Sequence, residues 1–508
     1  MDSQVIWTLI ILIAYIAIIV GIGLWSTRYA IKTLEDYAMA SRSLGFWVLF
    51  SSVFAANISA VTLIGVPGNA YHAGWILWPY FVTAWGWLFP ILIFTVSSRA
   101  YLLGQRFGYM THCEMITARW DSKALGYLFS VCLLFYTVPY LMTGIQGGGH
   151  TLNVLTKGLI PFWLGCLIVA VIVCFYLFVG GMRGAAWVNT FQAALFLLGV
   201  IVIFFAIAYV LGGPAAATQQ IAVKYPELLD RSKMSWKVFF SYGFFVSLCM
   251  PALPQIFMRL LTGRAPRDLK RTALIYPLAA IIVFFTVAYV GMWGHVAFPG
   301  LKGGESDRIL PLLLTQYLPI WMMGILGAAI FAALMSTMDS QVLAASTMIL
   351  RDFFKVSKLT TAEQQQQAVM WARLTVIILT VIAFILAQLN IVGIINIVNF
   401  AFAGFSLMFA PLVAAFYWRR CTKYAVAASI LASQATLLGL QYGILPKSWT
   451  FGFLPGMPAL VIGLVVLVVV TYLTPVPQNE GTKKFFELFD TSHAPVISGK
   501  DVVHNAGS

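Results

Sequence analysis

Residues 54–75 read FAANISAVTLIGVPGNAYHAGW, and this stretch decides the fold. It is long and apolar enough to cross a bilayer, which takes about 20 residues as a helix. Yet Asn57, Ser59 and Thr62 put polar groups at mid-membrane, and Gly65, Pro67 and Gly68 predict a break and a hinge. A proline removes a backbone donor and frees a carbonyl one turn earlier. In hydrocarbon such loose groups survive only where they line a cavity or meet a ligand. SLCMPALPQIFMR at 247–259 has the same character, interrupted at Pro251 and Pro254.

Most of the other apolar stretches are clean runs. The chain has 508 residues, is 61% hydrophobic and carries charge on only 9% of positions, far from soluble globular composition. About thirteen span-length runs lie between residues 5 and 474. Their length predicts an all-α integral membrane protein, since a barrel would show alternating segments of about ten residues. Residues 1–474 read as one transmembrane domain, and 475–508 as a polar, mobile cytoplasmic tail. With the first span set aside, residues of about 46–212 and 236–417 form two sets of five spans. Five is odd, so the sets run in opposite senses, and each begins with an interrupted helix. Paired interruptions of this kind point to a transporter site built on inverted repeats.

The net charge of +14 does not indicate a nucleic-acid partner. With the N-terminus outside and the C-terminus in the cytoplasm, most of the 31 Lys and Arg fall on inner loops and the tail. That is the positive-inside pattern of a multi-pass plasma (inner) membrane protein. The densest cluster, Arg259, Arg264, Arg267, Lys270 and Arg271, is expected to face anionic membrane lipid. The first span is too long for a cleaved signal core, and Asp2 replaces the usual basic start. Six cysteines lie in or beside spans without metal spacing and are expected to be free thiols.

Residues 331–347, FAALMSTMDSQVLAAST, place Ser336, Thr337 and Asp339 inside a hydrophobic helix. A bare carboxylate there would cost several kcal/mol. The two hydroxyls, the Ala333 carbonyl one turn earlier, and the Ala55 and Ile58 carbonyls beside Asn57 form a candidate set of hard oxygen ligands. Back-bonding to the preceding turn is the ordinary alternative for the hydroxyls. Asp339 is left as a second charge near the ion, a proton site, part of an internal ion pair, or a group facing an inner vestibule.

Six motifs resemble the sodium/solute symporters, the sodium/glucose cotransporter family. They are DYAMASRSLG at 36–45, ANISAVTLIGVPG at 56–68, TARWDSKALG at 117–126, GGMRGAAWVNTFQA at 180–193, LMSTMDSQVLAAS at 334–346 and FAFAGFSLMFAPLVAAFYWRR at 400–420. The resemblance implies a LeuT-like fold and a sodium site on Ala55, Ile58, Ala333, Ser336 and Thr337. It also implies a solute site at mid-membrane, with Asn57, Ser59, Thr62, Tyr140 and Gln255 as candidate contacts. Val61 and Thr62 stand where sugar-transporting relatives have an acid and an amide, so sugar is disfavoured. PQIFMR at 254–259 and PYLMTG at 139–144 are more similar to the proline, pantothenate and monocarboxylate branches. Asn189 departs from the family's frequent Asp.

The expected activity is therefore sodium-coupled symport of a small carboxylate or amino acid, with sodium as coupling ion and no organic cofactor. A single copy is expected to suffice. Proton coupling through Asp339, a channel and a symporter-like membrane sensor are the alternatives. An enzyme is not expected, because no zinc motif, P-loop or nucleophile elbow stands on an inner loop.

Overall fold

The computed structural model describes residues 3–29, 33–354, 361–389 and 394–491. Among these the chain is helical, with no strand and one isolated bridge, Leu44 to Gly263. Ten helices are long and apolar enough to span a membrane, or eleven when Trp236–Ala252 and Pro254–Leu261, bent by 52°, count as one. Two of the ten are double-length: Val61–Phe107 with 47 residues and Phe162–Val210 with 49. At 1.5 Å per residue either would run for about 70 Å, more than twice the hydrocarbon core. Each contains a glycine in the left-handed region, Gly74 (φ 77°) and Gly181 (φ 53°). A Cβ at Gly74 would lie 1.8 Å from the Leu228 carbonyl oxygen, and one at Gly181 2.6 Å from the Tyr37 ring. With the bent pair counted as one and both long helices divided there, the described residues hold thirteen candidate spans, the number the sequence predicts.

The first broken helix differs from expectation in its break. It runs from Phe46 to Asn57, becomes extended at Ile58 (φ −79°, ψ 107°) and resumes at Val61. Gly65, Pro67 and Gly68, expected to form the hinge, instead lie within the resumed helix, which continues to Ala73. The turn before Pro67 is wide: the Val66 N–H donates to the Val61 carbonyl, five residues back. That spacing relieves the clash a proline makes with the preceding turn. Gly68 serves close packing. A Cβ there would lie 2.7 Å from Asp307 Oδ1 and 2.9 Å from the Ser306 carbonyl oxygen of the turn Gly303–Arg308.

The second broken helix follows its prolines. Leu253 is extended (φ −67°, ψ 113°), and Pro254 opens the second half, where its missing N–H is not needed. The helix Ile320–Met348 runs through the middle of the bundle. Of its most apolar window 78% is buried, against 28% for the first span. It packs on the Phe46–Asn57 half, on Pro254–Leu261, and on the helices Ser3–Ser26, Lys123–Leu155 and Phe162–Val210. The tail also departs from expectation: Glu480–Thr491 is a helix whose Phe485, Phe486 and Phe489 are buried against the bundle.

Candidate functional site

Where the first helix breaks, its last turn leaves carbonyls without helical partners. The Ile320–Met348 helix meets them with its hydroxyls. Ser336 Oγ lies 2.9 Å from the Ala55 carbonyl oxygen and 3.0 Å from that of Ala333. Thr337 Oγ1 lies 3.3 Å from the Ala55 oxygen and 3.1 Å from that of Ile58. The structure thus brings the five expected residues into one cluster of neutral oxygens, all buried. Ligand distances of roughly 2.3–2.6 Å give octahedral oxygen–oxygen edges of about 3.3–3.7 Å. The cluster would need to widen by a few tenths of an ångström to surround a cation of that size.

Asp339 faces neither lipid nor a vestibule. Its Oδ1 is 3.2 Å from Arg259 Nη2, and both side chains are fully buried. The Asn189 amide (3.3 Å) and the Ser340 hydroxyl (2.8 Å) also donate to Oδ1, and Tyr176 donates to Oδ2 at 3.0 Å. Arg259 donates as well to Ser340 Oγ (2.6 Å) and to Ser52 of the first broken helix. This corrects the expectation that Arg259 faces lipid with the basic loop. It is the internal counter-charge of Asp339, while Arg264, Arg267, Lys270 and Arg271 are exposed. One sequence signal exists: Arg259 follows the apolar run PQIFM, on the helix that begins at the break. Removing either charge would strand the other in hydrocarbon.

The five candidate solute contacts lie buried at or near the two breaks. Ser59 and Thr62 spend part of their capacity on the break itself. The Val61 N–H donates to Ser59 Oγ at 3.2 Å, and the Ser59 N–H to Thr62 Oγ1 at 3.5 Å. The Tyr140 hydroxyl lies near the Ser59 side chain. Asn57 donates to the Tyr276 hydroxyl, leaving its Oδ1 without a partner among the described residues. Gln255, 2% exposed, finds a partner for neither amide atom among the described residues. Buried polar atoms are rarely left so. Aromatic neighbours that sequence reading did not single out surround Tyr140: its ring meets Phe402 edge-on, and Phe402 meets Trp85. Nothing in a run of apolar letters separates such rings from ordinary core.

The fold and this cluster define an integral-membrane transporter with broken helices. Residues 37–432 match the model of the sodium:solute symporter family, and the chain belongs to that family. It is 26% identical over 471 residues to the sodium/pantothenate symporter of Haemophilus influenzae, covering 90% of this chain and 94% of that one. It is 27% identical over 501 residues to the sodium/proline symporter of Escherichia coli, covering 92% and 93%. Among solved structures it resembles the substrate-bound outward-open state of a Na+-coupled sialic acid symporter, with TM-score 0.76 and 19% identity over 93% of this chain and 99% of that one. A nucleobase-cation-symport-1 family transporter follows at TM-score 0.60 and 14% identity, covering 89% and 98%. These structural likenesses carry the fold. Family membership makes the chain a multi-pass membrane protein of sodium-coupled solute symport.

Proposed function

We propose that the chain carries a small carboxylate-bearing solute, of amino-acid or pantothenate-like type, into the cell with sodium by alternating access. Sodium binds at Ala55, Ile58, Ala333, Ser336 and Thr337. The observation that carries this reading is the pair of hydroxyls spanning from one helix to the carbonyls freed at the break of another. An ion held there ties the first broken helix to the Ile320–Met348 helix and favours the state open to the outside. The solute then closes the site by contacts it makes only in the closed form. Residues 1–474 act as one transport domain in a single copy, with the N-terminus outside and the tail in the cytoplasm of a plasma (inner) membrane.

The unpartnered Gln255 amide, buried with both its donor and its acceptor free, favours a solute that both accepts and donates. An amino-acid zwitterion or an amide-containing acid meets that demand; a bare carboxylate satisfies only the donor. A half-helix N-terminus adds free N–H groups for the carboxylate. Proton coupling through Asp339 has less support, because Arg259 already neutralises that carboxylate. The test is uptake of a radiolabelled panel into proteoliposomes: amino acids, pantothenate-like amide acids and simple monocarboxylates, with and without an inward sodium gradient. Accumulation of an amino acid or amide acid only with the gradient supports the reading. Uptake driven by a pH step alone and lost in Asp339→Asn would replace it.

A further inference from the structure

Arg119 lies on a loop helix, His112–Trp120, outside the spans, and is fully buried. Its guanidinium donates to the carbonyls of Ala415 (3.1 Å), Trp418 (3.3 Å) and Arg419 (3.4 Å), where the 394–417 span ends. The same group donates to Thr482 of the tail helix Glu480–Thr491 and lies 5.1 Å from the Phe486 ring. The tail returns the grip: Asn479 donates to the Arg119 carbonyl at 2.8 Å, and Asp490 pairs with Arg419. Phe489 stacks under Arg99, which also lies over Tyr417 and donates to the Phe416 carbonyl. A Cβ at Gly481 would lie 1.8 Å from the Ala118 carbonyl oxygen, so the tail helix is seated directly on the loop-helix backbone.

The other end of the loop helix reaches the transport core. His112 Nε2 is 2.8 Å from the Pro251 carbonyl, in the tight turn Met250–Ala252 just before the break of the second broken helix, and the ring stacks on Phe257 at 3.7 Å. Burial pushes His112 down to about 4, against the opposing pull of the Pro251 carbonyl. The ring is therefore a neutral, pH-insensitive link at physiological pH. A continuous set of packed contacts joins the tail, the loop helix, the end of the 394–417 span and the turn at the second break.

The geometry points to the tail helix Glu480–Thr491 as an inner-side strap that, through Arg119 and the loop helix, holds the cytoplasmic side closed and so sets the rate of solute release. Opening the inner side requires the second broken helix or the end of the 394–417 span to move. Either motion pulls on contacts that the strap shares. The inference rests on the transport reading above. If the wild-type chain in proteoliposomes shows no sodium-dependent uptake, that reading fails before any variant is made.

Two variants test the strap while leaving the ion and solute residues intact: Gly481→Ala, which forces the tail off Ala118, and a chain ending at Val476. Trypsin cleavage at the exposed Lys483 and Lys484 reports undocking in the first; the second has no tail helix to undock. The readouts are solute counterflow and half-saturating external sodium. Counterflow is expected to rise about fivefold or more in both, the low end of site-to-site coupling. Half-saturating sodium should rise with it, because sodium favours the opposite state. Unchanged counterflow in the truncated chain, or in Gly481→Ala once trypsin shows its tail released, overturns the strap while sodium-driven uptake stands.

Discussion

Ser336 and Thr337 differ from the threonines of this bundle that bond only within their own helix. Thr137, Thr151 and Thr347 each donate to the carbonyl four residues back, at 2.8 Å, and spend themselves inside one helix. Ser336 and Thr337 reach across to Ala55 and Ile58. Asp339, two residues on from Thr337, is held by Arg259 alone among cationic side chains within salt-bridge distance in the described residues. Asp339→Asn should therefore lower stability by about 3–5 kcal/mol by stranding Arg259. The double variant Arg259→Met with Asp339→Leu should recover much of that loss, as read by thermal melting in detergent. Asp307, on the turn Gly303–Arg308 between spans, carries a pH dependence. Burial pushes its carboxyl up to about 6, against the opposing Ile394 N–H. A raised carboxyl favours the protonated folded state, so the folded chain takes up a proton that the unfolded chain does not. Stability should rise as pH falls from 7 through 6 towards 4, by up to about 3 kcal/mol at roughly 1.4 kcal/mol per unit. In Asp307→Asn that rise should be absent, so melting curves of the two chains should diverge in acid.

The two broken helices show what a sequence can and cannot announce about an element. Pro254 stands at the start of the second half-helix, and there the letters and the break coincide. In the first broken helix they do not. The chain opens at Ile58, where nothing forbids a helix, because Ser59 and Thr62 hand the backbone side-chain partners. Competing hydroxyls are a weaker textual signal than proline and glycine, though physically as effective. Gly65 and Gly68 separate a hinge from a packing role. A Cβ at Gly65 makes an ordinary 3.5 Å contact with Ile394, whereas one at Gly68 strikes Asp307 and Ser306. Gly65→Ala should transport at near wild-type rate, and Gly68→Ala should lose about 1–3 kcal/mol of stability through overpacking. Slowed transport by Gly65→Ala, with stability unchanged, would restore the hinge reading. Arg259 carried only a weak signal, its place directly after the apolar run PQIFM: positive-inside counting assigns a charge at a span's end to the loop, and only the fold places it beside Asp339. The tail helix escaped notice because its three phenylalanines are spread among charges, and their burial depends on a partner surface far away in sequence.

At the scale of the whole molecule, the fold class and the presence of a broken helix in each five-span set were legible, though not the position of the first break, because bilayer thickness fixes helix length and five-span sets must invert. What was not legible is which groups remain unsatisfied at the centre, since that depends on side chains brought together from six helices. The energetic account is simple. One sodium moving inward across about 100 mV releases roughly 2.3 kcal/mol, before any concentration gradient. The cluster at the first break couples that release to the solute only if ion binding and helix position are one event. The most direct measurement is the sodium dependence of solute uptake in proteoliposomes for Ser336→Ala with Thr337→Ala, beside Thr347→Ala as a back-bonded control. The double variant should stay folded by thermal melting and lose sodium stimulation, while Thr347→Ala keeps it. Unchanged half-saturating sodium in the folded double variant would contradict the site.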